Sequence, residues 1–399
     1  MAIGISFLGT GNYQKVTYIF NGEKFETEYF PIAFCHFLKL DSLYLIMTEE
    51  SRQKHFEEFD QKFKDCLVNC TLKKILIPSG KTEDELWNIF EIIASNLPEN
   101  SEISFDITHA FRSIPFMIFA ICRYLSVVKK VTIKNIVYGA FEARLDNIAP
   151  VFNLTPFLDL IQMSDAVNHF YLFGNSSLIA EILNKIQGQF YMPKVKSIKP
   201  TKLKPFGDVL DNLTRALSII RIEEAIKLSF KLSKKLEEFS NEAKELPIAK
   251  PFALLLDKIQ KRFPKTAPAG FYLFSTEGFK IQANLLDFYI ETNQFVQAIT
   301  LAREIIVSFC VVRKNKDPKK KACREEVEKE LGTLLSRLKN KENLSDQERP
   351  LAEIWSHITT TRNDIDHAGM NEHPEKTLTA IDNVKDICKM VTEFICSSH

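Results

Sequence analysis

The chain has 399 residues, of which 45% are hydrophobic and 26% charged, a composition typical of a globular protein with two or three domains. Its formal net charge of +1 excludes a polycationic surface over the whole molecule, so any nucleic-acid site must be a local patch. No uninterrupted apolar run is long enough for a membrane span and the N-terminus lacks a signal-peptide pattern, so we expect a cytoplasmic protein.

The eight cysteines include no CxxC pair, and we expect them to be reduced and mostly buried. Cys66 and Cys70 are four residues apart, which predicts that they share a helix face. No second pair of ligands accompanies them, and no other cluster of histidine, cysteine and carboxylate has the spacing of a metal site. We therefore expect no bound metal.

The chain begins with an apolar run over residues 2–8, which predicts a buried strand followed by a glycine-rich turn. The turn consists of Gly9, Thr10, Gly11, Asn12 and Tyr13. Glycine allows a ligand to approach the backbone closely, and free N–H groups and hydroxyls can then bind phosphate. The turn is neither a GxGxxG nor a Walker motif, so an ordinary β-turn remains the alternative.

Asn21-Gly22 stands between two short segments, 16–20 and 26–29, and predicts a β-hairpin. Strands are then predicted at 43–48, 74–78, 103–107 and 132–138, alternating with helices over 83–97, over 110–127 and around Phe56, Phe59, Phe63 and Leu67. This alternation predicts a doubly wound, mainly parallel α/β domain of the Rossmann-like class.

Ligands of such sheets bind beyond the carboxyl ends of the strands. Three polar strand ends should therefore meet at one edge of this sheet, at residues 9–12, at Thr48 and at residues 106–109. Convergence of three polar segments is a stronger indication of a ligand site than any one of them.

The most distinctive of these segments is Asp106-Ile107-Thr108-His109-Ala110-Phe111-Arg112, where a predicted strand becomes a helix. Asp106 or Thr108 would cap this helix, and His109 and Arg112 would share a face in its first turn. A helix N-terminus with a guanidinium beside it suits an anion. Capping and turn chemistry alone remain the alternative.

From about residue 160 the pattern is helical throughout, with polar or glycine- and proline-containing interruptions. Helices are predicted at 166–172, 177–185, 209–244, 279–291, 295–312, 325–341, 351–367 and 375–396. Two lysine-rich stretches, 187–205 and 314–324, predict exposed loops, and contact with RNA remains open for both. Glu304, in the most apolar helix, is either a partner for a cation or an ordinary surface carboxylate.

Arg362, Asn363 and His367 bring a permanent cation and a titratable base together near the end of a predicted helix. They lie off the apolar stripe of Leu351, Ile354, Trp355, Ile358 and Ile365. Side chains five residues apart on a helix diverge by about 140°, so a single helix does not direct Arg362 and His367 to one point. Two such helices that face each other in a symmetric dimer could bring both pairs of side chains into one cleft. A guanidinium recognises phosphate and an imidazole moves protons near neutral pH, which suits RNA cleavage. Ordinary surface residues of an amphipathic helix remain the alternative.

These motifs together resemble CRISPR-associated ribonucleases that carry a CARF domain and a HEPN domain. Residues 106–112, followed by Pro115, resemble the D-x-T-H-G-x-R signature of CARF domains, and residues 9–13 match the first ligand loop of that family. Ala110 stands where glycine is usual, which puts in doubt how closely a ligand approaches the backbone. Arg362-Asn363 through His367 resembles the R-N-x-x-x-H motif of HEPN ribonucleases.

The resemblance implies a CARF ligand-sensing domain over 1–160, a helical connector over 161–270 and an all-α HEPN bundle over 271–399. It implies a homodimer, or a higher oligomer of dimers, that binds cyclic oligoadenylate in type III CRISPR defence and then cleaves single-stranded RNA without a metal. Arg362, Asn363 and His367 would be catalytic. The ligand would bind at Gly9, Thr10, Gly11, Asn12, Tyr13, Thr48, Asp106, Thr108, His109 and Arg112. Cyclic tetra-adenylate is the favoured activator, although the residues themselves leave the ring size open.

Two alternatives remain open. The chain could be a ligand-sensing regulator or scaffold without catalysis, although no late β-ribbon pattern indicates a DNA-reading winged helix. Alternatively, Thr10, Thr108 and His109 could slowly linearise the cyclic ligand in the N-terminal pocket.

Overall fold

The computed structural model describes residues 2–67, 69–109, 114–190, 199–245, 250–263, 271–370 and 372–397. It divides into two compact units, Met1–Asp159 and Leu160–His399. The first is a mixed α/β sheet domain and the second is built from helices. The predicted order of an α/β domain followed by a helical region is confirmed, whereas the three-way division at 160 and 270 stays a prediction.

The first unit contains eight strands and four complete helices. The strands are β1 Ala2–Leu8, β2 Val16–Phe20, β3 Glu23–Thr27, β4 Ser42–Met47, β5 Thr71–Leu76, β6 Glu102–Asp106, β7 Thr132–Gly139 and β8 Ile148–Asn153. The helices are α1 Phe30–Leu38, α2 Glu49–Cys66, α3 Glu83–Asn96 and α4 Ile114–Val128, and a single 3-10 turn covers Phe141–Ala143.

The eight strands form one sheet in the order β3-β2-β8-β7-β6-β1-β4-β5. Successive side chains of β1 point to opposite faces of the sheet. Ile3, Ile5 and Phe7 pack into a core with α3 and α4, whereas Leu8 joins a second core with α1 and α2. The prediction of a doubly wound, mainly parallel domain is therefore confirmed. Only the β2–β3 and β7–β8 pairs are antiparallel among the paired strands.

The predicted hairpin is confirmed, with a tighter turn than expected. Asn21 and Gly22 both have positive φ angles, 51° and 85°, which identifies the turn type that matches strand twist. As a result β3 begins directly at Glu23, before the predicted 26–29. The predicted helical pairing of Cys66 and Cys70 is wrong, because α2 ends at Cys66 and Cys70 lies beyond it. Cys70 packs instead against the core cluster that contains Cys35.

The second unit consists of helices around one continuous apolar core. They are α5 Thr155–Phe173, which begins in the first unit, α6 Ser177–Phe190, α7 Leu203–Ser218, α8 Ile222–Glu245, α9 Lys250–Gln260, α10 Thr276–Glu291, α11 Phe295–Arg313, α12 Lys321–Lys339, α13 Glu348–Asp366 and α14 Thr377–Ser397. Ten helices are described in this unit where eight were predicted, because α9 was not predicted and α7 and α8 were predicted as one helix.

The predicted single helix over 209–244 is wrong, because α7 and α8 are separate helices. They are joined at Ile219–Arg221, where Ile220 adopts a left-handed conformation with φ 59°. The predicted loop over 187–205 is shorter at both ends, since α6 extends to Phe190 and α7 begins at Leu203. Residue 270, at which the connector was predicted to end, lies outside the described residues.

The lysine-rich segment 314–324 is held by carboxylates instead of being free to steer RNA. Lys314 pairs with Glu330, Lys316 with Glu326 and Lys319 with Glu223, while α12 already begins at Lys321. Paired lysines present less net charge to a phosphate backbone than solvated ones do. The role in RNA contact that the sequence left open for this segment therefore has no support from its geometry.

Helix α11 is long and apolar enough to cross a membrane by length and composition alone. Half of its most apolar window is buried inside the unit, and Arg303 and Glu304 interrupt it with an ion pair of 2.6 Å. The burial and the ion pair of α11 are typical of a core helix in a helical bundle.

Candidate functional site

A cavity of about 370 Å³ lies at the carboxyl ends of the parallel strands of the first unit. Strand β1 is flanked by β4 on one side and β6 on the other, so the chain reverses its direction of travel through the sheet at this point. The glycine-rich turn 9–14 forms one wall and residues 138–142 form the opposite wall, with Thr108 and His109 between them. The predicted convergence of the polar ends of β1, β4 and β6 at one sheet edge is thus confirmed.

The glycine-rich turn is closed by the side chain of Tyr13. The Gly9 amide donates a 2.8 Å hydrogen bond to the phenolic oxygen of Tyr13, whose hydroxyl is 3.2 Å from the Gly9 carbonyl. A Cβ at residue 9 would lie only 3.1 Å from the carbonyl oxygen of His109, so glycine permits the two strand-end loops to approach. Lys54 on α2 donates a 2.7 Å hydrogen bond to the Thr10 carbonyl and so braces the turn from outside.

Asp106 organises the segment between the two walls, although it does not line the cavity. Its buried carboxylate accepts hydrogen bonds from the Ser6 hydroxyl, at 2.5 Å, and from the Thr108 amide, at 2.8 Å. Burial raises the pKa of Asp106 to about 6, and these hydrogen bonds oppose the rise. The Thr108 hydroxyl accepts a 2.8 Å hydrogen bond from the Gly139 amide, which fixes the wall 138–142 to the segment between the walls.

His109 lies between the walls as a neutral imidazole. Its ring meets the Tyr13 ring edge-on with 4.7 Å between centroids, and its Nε2 is buried without a hydrogen-bond partner among the described residues. Burial lowers the pKa of His109 to about 4, and neighbouring His55 lowers it further in the same direction. At neutral pH His109 therefore offers hydrogen-bonding capacity without charge.

Thr48, a predicted ligand residue, is placed differently. The Thr48 hydroxyl accepts a 3.2 Å hydrogen bond from the Ser51 amide as the N-cap of α2, and Thr48 does not line the described cavity. Its role here is helix capping. Arg112 and Ala110 lie outside the described residues, and so does the predicted capping of a helix that begins at residue 110.

The charges around the cavity are unevenly distributed. Glu142 belongs to the wall 138–142 and Glu28 also lines the cavity, whereas Lys54 lies beside Thr10 and Asn12 of the glycine-rich turn. Glu28 is ion-paired with Lys62, while Glu142 is exposed and has no ion pair in the described part of the chain. No sequence pattern predicts that Lys54 lies at the cavity, because nothing distinguishes it from the other lysines of the highly charged helix α2.

In the second unit, Arg362, Asn363 and His367 occupy the last turns of α13. The Arg362 guanidinium forms a 2.8 Å ion pair with Asp366, and its Nε is buried without a partner in the described structure. Asn363 and His367 are exposed, and His367 is the C-cap residue, its amide donating to the Asn363 carbonyl at 3.1 Å.

The predicted apolar stripe of this helix is confirmed. Ile354, Trp355 and Ile358 are buried, and Leu351 and Ile365 pack against the same core. Glu304 is held by Arg303 and Arg324, so it already has cationic partners on α11 and α12.

Comparisons with known proteins match two parts of the chain. Residues 3–142 match the family model of the CARF domain of the CRISPR system endoribonuclease Csx1. Residues 159–269 match the model of the second domain of the CRISPR-associated protein MJ1674. The chain is 32% identical over 143 residues to CRISPR-associated protein MJ1674 of Methanocaldococcus jannaschii.

That alignment covers 34% of this chain and 23% of the relative, so it spans about a quarter of the relative's length. Neither matched range extends past residue 269, and α10 to α14 are outside both. The matches support a CRISPR-associated protein with a CARF domain. They place the cavity, bounded by 9–14 and 138–142, inside the matched CARF range.

Proposed function

We propose that this chain is a metal-independent, single-stranded RNA endoribonuclease activated by cyclic oligoadenylate in type III CRISPR defence. One observation carries the proposal: a cavity at the switch point of a CARF-matched sheet occurs in the same chain as a half-buried Arg362 with an exposed Asn363 and His367 at one helix end. The first site suits a small polyanion and the second suits RNA. We place the protein in the cytoplasm.

Ligand binding uses the cavity wall at residues 9–12. Backbone N–H groups of a glycine-rich turn and the ammonium of Lys54 attract phosphates, and neutral His109 supplies a hydrogen bond. The Gly139–Thr108 hydrogen bond ties the wall 138–142 to the segment after β6, so a ligand that moves this wall also strains that edge of the sheet. A ligand shifts the resting equilibrium only by its preference for the active arrangement.

The chemistry takes place at the C-terminal end of α13. Arg362 binds the scissile phosphate through its planar fork of donors, while Asp366 holds the guanidinium in place. His367 moves a proton between the ribose 2′-OH, or the leaving oxygen, and solvent. The 2′-OH attacks the adjacent phosphorus and the 5′-oxygen leaves, which produces a 2′,3′-cyclic phosphate.

Two copies of the chain are needed to pair two such helix ends. The exposed face of α3 and α4 is the surface that we assign to a second copy, because Trp87 is 71% exposed and Phe116 is 84% exposed beside Phe90 and Met117. In sequence, α4 begins at Ile114, close to the Thr108 and His109 that line the ligand site. A ring with repeated phosphates fits two symmetry-related copies of the cavity.

The test is cleavage of single-stranded RNA by the full chain with each cyclic oligoadenylate in turn, in excess EDTA. We expect one ring size to activate cleavage, with 2′,3′-cyclic phosphate ends on the products. Ring binding without RNA cleavage would favour a regulator or scaffold. Linearised ring in the same reactions would indicate chemistry at Thr10, Thr108 and His109.

A further inference from the structure

Two cysteines from separate elements meet on the side of the sheet that α1 and α2 cover. Cys35 lies in α1 and is buried, whereas Cys70 is half-buried and directly precedes β5. Cys35 belongs to the core cluster on this side, and Cys70 packs against the same cluster. Their thiols are joined by a side-chain hydrogen bond. The pair is therefore positioned for sulfur chemistry that neither the ligand cavity nor α13 uses.

The two thiols differ in chemical character. The hydrogen bond with Cys35 lowers the pKa of Cys70, although partial burial and the charge of Asp41 oppose this shift. Burial, together with the same hydrogen bond, raises the pKa of Cys35. The Cys35 S–H is thus the donor, and the acceptor sulfur of Cys70 is favoured as a thiolate. Since the thiolate is the nucleophilic form of cysteine, Cys70 is the reactive member of the pair.

Cys70 also has access to solvent through a cavity of about 470 Å³. Besides Cys70, the cavity is lined by a mixture of apolar and charged side chains, Asp60, Phe63, Lys64, Leu67, Leu72 and Lys74. Cys35 does not line the described cavity, so a small solute that enters it meets Cys70 first. Sensor cysteines typically combine a lowered pKa, access to solvent and a neighbouring thiol, and Cys70 combines all three.

We propose that Cys70 is a site of reversible oxidation by a small hydroperoxide, and that Cys35 resolves the oxidised sulfur into a disulfide between α1 and the start of β5. This inference does not depend on the proposed function. In the resting protein both thiols are reduced, as the cysteine pattern of the sequence predicts.

The oxidation has two steps, written here for hydrogen peroxide. The Cys70 sulfur attacks one peroxide oxygen, so that an S–O bond forms and the O–O bond breaks; the leaving hydroxide takes the proton released by Cys70 and becomes water. The Cys35 sulfur then attacks the sulfur of the Cys70 sulfenic acid, so that the S–S bond forms and the S–O bond breaks. The hydroxide leaves with the Cys35 proton as a second water. The two thiols lose two electrons, and the peroxide gains them.

The disulfide connects α1 to a strand at the end of the sheet. Among the described strands β5 is last in the sheet order and pairs with β4. A covalent link between α1 and β5 restricts the unfolded chain, so it should stabilise the first unit. Disulfides of cytosolic proteins are usually transient, and thiol reductants would return this pair to its resting form.

The test treats the reduced full chain with hydrogen peroxide, blocks the remaining thiols by alkylation and maps the cysteine peptides by mass spectrometry. We expect the first product to be a peptide pair joined through Cys35 and Cys70, and dithiothreitol should reverse it. Cys66 and Cys396 should stay reduced at the lowest dose that oxidises Cys70, although both are exposed. Cys66→Ser is the matched control, because Cys66 ends α2 close to Cys70 in sequence, and it should keep the cross-link.

Two further variants separate the roles of the two thiols. In Cys70→Ser, buried Cys35 should stay reduced. In Cys35→Ala, Cys70 should react more slowly because it has lost its hydrogen-bond donor, and its sulfenic acid should accumulate and be trapped by dimedone. Oxidation should raise the melting temperature of the wild type by several degrees and of neither variant.

The mapping of the wild type is decisive even if a variant does not fold. Oxidation of Cys66 or Cys396 before Cys70, or a Cys70 that stays reduced, would overturn the reactivity of Cys70. Conversion of Cys70 to sulfinic acid without a cross-link in the wild type would overturn the resolving role of Cys35.

Discussion

The hydroxyl of Ser6 and the carboxylate of Asp106 are 2.5 Å apart, one on β1 and the other on β6, at the point where the order of the sheet reverses. Both side chains are buried. The same carboxylate accepts a hydrogen bond from the Thr108 amide. One acidic group therefore holds both the edge of the sheet and the start of the segment between the cavity walls. Asp106 is thus a positioning residue for the candidate ligand site.

The ionisation of Asp106 should make the stability of the protein depend on pH. Its folded pKa of about 6 lies above its ordinary value of 3.8, so the folded state binds more protons between these values. The contribution of Asp106 to the free energy of unfolding is therefore complete below pH 4 and is lost as the pH rises through 6. The difference in unfolding free energy between wild type and Asp106→Asn should change by up to about 3 kcal/mol across that window. Thermal melting of both proteins at pH 4, 5, 6 and 7 measures this difference. If the stabilities of the two proteins changed with pH in the same way, the raised pKa of Asp106 would be contradicted.

His109 should stay neutral well below the pH at which an exposed histidine gains its charge. Its pKa is lowered to about 4, so its stabilising effect is present above the ordinary value of 6.5 and is lost as pH falls through 4. The imidazole nitrogen resonances of His109, assigned with His109→Gln, should show the neutral form at pH 5.5. Exposed His357 provides the internal comparison. Titration of both at the same pH would show that His109 is solvated.

Replacement of Arg362 or His367 by alanine should abolish RNA cleavage and leave ring binding nearly intact. Neither side chain belongs to the buried stripe of α13, so the helix should keep its packing. Arg349→Ala and His357→Ala are matched controls, because both residues are exposed on the same helix. Cleavage rates at saturating ring, together with far-UV circular dichroism, test the assignment. Normal cleavage by a folded His367→Ala protein would remove His367 from catalysis.

Residues of the cavity should govern the midpoint of activation more than the maximal rate. Each charge-assisted contact contributes roughly 1.5–3 kcal/mol, so Thr10→Ala, Lys54→Ala or Arg112→Ala should raise the midpoint by about 10- to 100-fold. Lys64→Ala, on the same helix as Lys54 but paired with Asp60, is the control. The measurement is a titration of RNA cleavage against ring. A lost maximal rate with a normal midpoint would instead make the residue part of the coupling between sites.

The sequence predicted the sheet and the position of the cavity because both depend on local patterns. Alternating strands and helices fix a parallel sheet, and polar residues that follow apolar strands mark its carboxyl edge. Three elements were missed, α1, α9 and β8, and the first and last of them have a clear physical reason. Helix α1 is apolar on nearly all sides, so it has no polar periodicity, and β8 is short and contains Pro150.

Other features depended on tertiary contacts that no local pattern contains. The boundary between α7 and α8 falls at Ile220, a β-branched residue in a left-handed conformation where a glycine would have been the usual signal. Thr48 was predicted to bind ligand because it ends a strand, but its hydroxyl caps the next helix. Phe141, Glu142 and Arg144 had no motif, and only the fold brings them opposite the glycine-rich turn.

The two cavity walls begin at residues 9 and 138, about 130 positions apart, and their contacts have high contact order. The hairpin of β2 and β3 can form within a few residues, but the Gly139–Thr108 bond and the cavity require β1, β6 and β7 to be aligned first. The ligand site is thus a late product of folding. A nascent chain that has not yet emerged past about residue 142 lacks one wall of the cavity, so the candidate ligand site is complete only once nearly the whole domain has been made.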